Sequence, residues 1–98
     1  MNILINAVQE GNTDMVYTLL KRHDIDVNYR NDNGNTALIE AAIKGDTEMV
    51  KMLMEHPNID INSRNLEGET ALIEAVWNGK EVIVSMLLEH PDIDTGFP

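Results

Sequence analysis

The chain repeats itself with a period of 34 residues. Asn31-Asp32-Asn33-Gly34-Asn35-Thr36-Ala37-Leu38-Ile39-Glu40-Ala41 returns as Asn65-Leu66-Glu67-Gly68-Glu69-Thr70-Ala71-Leu72-Ile73-Glu74-Ala75, and Glu55-His56-Pro57 returns as Glu89-His90-Pro91. Residues 31–64 and 65–98 agree at 17 of 34 positions, far more than unrelated segments share. One more step back sets Leu4, Ala7, Gly11, Val16, Leu19, Ile25 and Asn28 against Leu38, Ala41, Gly45, Val50, Leu53, Ile59 and Asn62. A fixed period of this length specifies stacked copies of one supersecondary unit. The units are 1–30, whose opening segment is missing as in an N-terminal cap, then 31–64 and 65–98, together expected to form a single domain.

Within a unit the punctuation is regular. Thr36 and Thr70 suit the N-cap, where a hydroxyl accepts a bond from a free backbone N–H. A short apolar helix follows each, through Leu38, Ile39, Ala41 and Ala42 or through Leu72, Ile73, Ala75 and Val76. Gly45 and Gly79 stand where it stops. A second helix carries Met49, Val50 and Leu53, or Ile83, Val84 and Leu87, and the His-Pro pairs end it. An alternating stretch, Ile59-Asp60-Ile61-Asn62, then leads to the next turn. Helices this short are not stable alone, so each unit relies on its neighbours to cover its apolar faces. The expected class is all-α: about three stacked helix-turn-helix units with short β-hairpin-like fingers.

Composition narrows the function. Among 98 residues, seventeen acids against seven Lys and Arg give a net charge of −10, a sign that repels nucleic acid and anionic membranes. The absence of cysteine removes disulfides, thiolate metal sites and cysteine nucleophiles. No apolar run is long enough to cross a bilayer, and the first residues lack the basic start of a signal peptide. An intracellular, cytoplasmic protein is expected. Ser63 and Ser85 are the only serines, and the three histidines each stand near a helix end, away from both, so catalysis is not expected. An EF-hand register centred on Gly34 puts Tyr29 where a carboxylate is required, leaving Asn33-Gly34 as turn chemistry. His56 and His90 read as helix C-terminal residues that bond the last carbonyls. No metal or cofactor is expected.

The units resemble the ankyrin repeat family. Its Gly-x-Thr-Pro-Leu-His-x-Ala signature is similar to Gly34 through Ala41 and Gly68 through Ala75. Its Gly-x-x-x-x-Val-x-x-Leu-Leu segment is similar to Gly45 through Met54 and Gly79 through Leu88. Alanine replaces the signature proline at 37 and 71, and isoleucine replaces the signature histidine at 39 and 73. With that histidine absent, cohesion between units is expected to come from apolar packing. The resemblance implies an ankyrin-repeat solenoid acting as a non-catalytic adaptor or scaffold. Such a protein grips a partner through its fingertips and the concave face of the first helices; the alternative is a minimal or engineered scaffold without a dedicated ligand.

The candidate protein-binding residues are Asp32, Asn33, Asn35, Ile43, Lys44, Leu66, Glu67, Glu69, Trp77 and Asn78. Trp77 follows the pattern of Gln9 and Ile43 near the end of each first helix. It is either an anchor for a partner, as aromatic residues at hot spots are, or a cover for the last unit's core. Glu40 and Glu74 read as solvated helix faces. The expected partner is a protein with a basic or neutral surface. Val82, standing where the preceding unit has Glu48, adds an expectation of self-association through the C-terminal face.

Overall fold

A computed structural model describes residues 2–95. Six helices are present among them: α1 (Ile3–Gln9), α2 (Thr13–Leu20), α3 (Ala37–Lys44), α4 (Thr47–Met54), α5 (Ala71–Trp77) and α6 (Glu81–Leu88). The starts are set by side chains. Asn2, Asn12, Thr36, Asp46 and Thr70 each accept a hydrogen bond from the backbone N–H three residues on. Lys80 occupies the corresponding place before α6 and supplies no such bond. Gly45 closes α3 in the left-handed region at φ 80°.

Successive helices pair as α1–α2, α3–α4 and α5–α6. The pairs stack so that α1, α3 and α5 form one row and α2, α4 and α6 the other. Side chains 34 residues apart make the layers of the core: Leu4, Leu38 and Leu72 in the first row, Leu19, Leu53 and Leu87 in the second, all buried. Val27 and Ile61, on the connectors, close it below the fingers. Ala41, Ala42 and Ala75 are fully covered, and their small size lets neighbouring helices approach closely. The central pair is covered on both sides; Ile39 of α3 is 1% exposed, whereas its counterpart Ile73 is only half-buried.

The fingers are hairpin-like in their bonding. Asn31 N–H donates to Asn35 O at 2.9 Å, and Asn65 N–H to Glu69 O at 2.9 Å, yet no strand forms among the described residues. Cohesion between the pairs also differs from expectation. Apolar packing is joined by a ladder of amides and backbone bonds. Asn28 Nδ2 donates to Asn58 O while its Oδ1 accepts from Asp60 N–H, each at 2.8 Å, and Asn62 repeats both bonds with Asp92 and Asp94. Asparagine supplies a donor and an acceptor from one group, so each residue ties two connectors together without the missing signature histidine.

Two further expectations are corrected. The side chains of His56 and His90 do not bond the last helical carbonyls: their Nδ1 atoms accept from the N–H of Asn58 and Asp92, at 3.1 Å, and so hold the turn after the helix. Val82 is exposed but lies beside Gly45, Thr47 and Lys80, on the side of α6 facing the preceding unit. It is not part of the C-terminal end face.

Candidate functional site

The fingers project as a braced row. In the first, Asn31 Oδ1 accepts from the N–H groups of Asn33 and Asn35; in the second, Asn65 Oδ1 does the same for Glu67 and Glu69. Backbone groups then join the two fingers, since Leu66 N–H donates to Asn33 O at 3.0 Å. Arg30 reaches across as well, its Nε donating to Gly34 O and its Nη2 to Arg64 O at 2.7 Å. Glu40 is not a merely solvated residue. Its Oε2 accepts from Asn35 Nδ2 at 2.8 Å and from Asn31 Nδ2 at 3.2 Å, fastening the first finger to α3.

That bracing sorts the candidate residues. Asp32, Asn33, Leu66 and Glu67 stand exposed at the tips, with Leu66 73% exposed. Glu69 is half-buried at the base of the second finger. Asn35 leaves the accessible set: it is 7% exposed, and its amide is engaged by Glu40 and by Asn65 Nδ2 at 3.0 Å. Ile43 is half-buried against the core, while Lys44 extends back along the row of first helices to donate from Nζ to Gln9 O at 3.2 Å. Asn78 spends its Nδ2 on Glu74 O at 2.7 Å.

A groove of about 460 Å³ opens below the first finger. Asn2, Asn6 and Gln9 line it from α1, and Tyr29, Asp32 and Asn33 from the finger. The lining is mostly amide, hydroxyl and carboxylate, and no hydrogen bond among the described residues uses the Asp32 N–H. Such a surface can read the peptide groups and side-chain amides of a polypeptide. Gln9, Asn6 and Tyr29 are members that sequence reasoning missed. The signal for Gln9 was its equivalence to Ile43 and Trp77; the others carry no distinguishing pattern.

Trp77 is not in that groove. It stands 76% exposed at the far end of the stack, beside Ile73, Val76 and Leu88, and at that exposure it covers little of the core. The candidates therefore fall into two groups, fingertips with the polar groove below them, and an apolar end face. The one ion pair among the described residues, Arg22 to Asp24 at 2.7 Å, belongs to neither. There the guanidinium, by hydrogen bonding, holds the Asp24 carboxyl below the usual range.

Comparisons place this geometry among known proteins. A family model described as ankyrin repeats (3 copies) matches residues 3–96. The chain is similar, at 30% identity and a TM-score of 0.82, to a chain in the solved complex of the Bd0816 predatory endopeptidase from Bdellovibrio bacteriovorus with immunity protein Bd3460. The match covers 93% of this chain and 47% of that one, so the present chain spans about half the length of its structural relative. No curated protein matches it.

Proposed function

Because this chain belongs to the ankyrin repeat family, we propose that it binds a partner protein, gripping it with the tips of its two fingers and the polar groove below the first. The observation that carries this reading is the bracing of the fingers. Asp32, Asn33, Leu66 and Glu67 are exposed on a frame already fixed by Asn31, Asn35, Asn65, Glu40 and Arg30. A surface ordered before contact loses little conformational freedom on binding, which leaves more of the contact energy for affinity. The structural relative, found in a two-protein complex, agrees with protein as the ligand class.

The net charge of −10 favours a partner whose contact surface is basic or neutral. Among the described residues no helix is long and apolar enough to cross a membrane. The role is that of a non-catalytic adaptor. The test is affinity capture, identification of the captured protein, and reconstitution with the purified pair. Asp32→Arg with Glu67→Arg should weaken the reconstituted complex about tenfold or more, a hot-spot-sized loss. Lys51→Ala, on the opposite side of the stack, should leave it unchanged. Equal affinity of the fingertip variant and the parent chain would remove the reading.

A further inference from the structure

The C-terminal end of the stack carries a second surface, independent of the fingers. Leu72, Ile73, Val76 and Trp77 of α5 and Val84 and Leu88 of α6 line an apolar groove of about 310 Å³. Val76 is 57% exposed and Leu88 49%. The same face of the central pair shows what shape fits there, because α5 and α6 cover it. Two of the changes between the end face and that interior one add bulk. Val76 replaces Ala42, which is fully buried beneath α5, and Trp77 replaces Ile43. A helix pair packed as closely as α5 packs on α3 would collide with this added bulk. A single helix resting in the groove between α5 and α6 would use it.

Charge selects the occupant. Residues 65–95 hold seven acids, Glu67, Glu69, Glu74, Glu81, Glu89, Asp92 and Asp94, against Lys80 alone. The Lys80 side chain leans away, over Gly45 of the preceding unit. Two copies meeting through this end would bring two strongly acidic units together. An apolar groove on so acidic a unit instead complements a helix with an apolar stripe and Lys or Arg on its flanks. We propose that the α5–α6 end face is a docking site for a basic amphipathic helix of a partner protein, anchored on Trp77, Val76 and Leu88.

Trp77 is the only tryptophan, so its emission reports directly on the site. The probe is a synthetic amphipathic helix with a leucine stripe flanked by lysines, compared with the same peptide carrying glutamates in place of the lysines. The lysine peptide should shift Trp77 emission to the blue, saturably, with an affinity that falls as salt is raised. Val76→Lys, and separately Leu88→Lys, should each weaken binding about tenfold or more, with helicity checked by circular dichroism. Both positions are exposed, and on different helices, so a fold lost in one variant leaves the other informative. Leu66→Asp at the fingertip should leave peptide affinity unchanged, which separates this site from the finger surface. The proposal is overturned if the peptide does not saturate, if the glutamate peptide binds equally well, or if folded Val76→Lys and Leu88→Lys retain full affinity. Sedimentation of the free chain as a dimer with Trp77 emission already blue-shifted would also overturn it, by placing a second copy on the face.

Discussion

Gly34 and Gly68 hold the same place in the two fingers, at φ 75° and 78°, but only Gly34 has a neighbour on its outer side. A Cβ there would lie 2.7 Å from the backbone nitrogen of Leu66, whereas at Gly68 it would meet nothing within 4 Å. Alanine at 68 should therefore cost only the left-handed backbone penalty, about 1–2 kcal/mol. Alanine at 34 should cost about 1–3 kcal/mol beyond that, because the second finger must move. Urea titration of the two variants checks the difference, and equal costs would mean that the fingers are not locked together. Asn65→Ala should destabilise by about 1–3 kcal/mol, since it strands two backbone donors and the buried Asn35 Oδ1. Glu67→Ala, at the exposed tip, should be close to neutral by the same titration. The roles of Thr36 and Thr70 were legible from residue type and spacing, because a cap is a local bond. The burial of Asn35 was not, since its partner Asn65 is thirty residues away and Asn35 itself has the composition of an ordinary turn residue.

Among the helices, α6 is the least well started. Its five predecessors each have an Asn, Asp or Thr accepting from the third helical N–H, while Lys80 leaves that donor without a side-chain cap and adds a positive charge at the positive end of the dipole. Lys80→Asn, copying Asn12, should raise stability by about 0.5–2 kcal/mol, measured as an increase in the urea midpoint. The helices also separate by coverage. Ile39 and Ile73 are the same residue at the same helical position, and differ in whether another pair packs over them. Ile39→Ala should cost about 2–5 kcal/mol, the range for a closed core site. Ile73→Ala should cost distinctly less, and parity between the two under the same titration would contradict the stacking order. Helix starts, helix ends and the apolar stripe of each element could be read from the sequence at 34-residue intervals. The turn-holding role of His56 and His90 could not, because the C-terminal end of a helix offers both its carbonyls and the following N–H groups, and geometry chooses between them.

For the molecule as a whole, the −10 charge acts in two directions. Spread over a small stack it repels itself, so raising ionic strength from low salt to the physiological range should raise the urea midpoint of the free chain. The same screening should slow association with a basic partner, which stopped-flow mixing would measure once the partner is in hand. A salt response of the same sign in both would mean that charge is not what steers the encounter. The stacked all-helical architecture was legible because the period, the caps and the recurring Leu, Val and Ala positions are properties of short segments, and a repeat that cannot cover its own apolar side has few ways to be satisfied. Which copy of each position ends up covered is another matter. Ala42 and Val76, Ile43 and Trp77, or Gly34 and Gly68 occupy equivalent places in the 34-residue pattern, and their different surroundings come from whatever packs next to them. Tertiary stacking alone buried Asn35 and left Trp77 on an apolar end face apart from the fingertips, because coverage depends on neighbours distant in the chain.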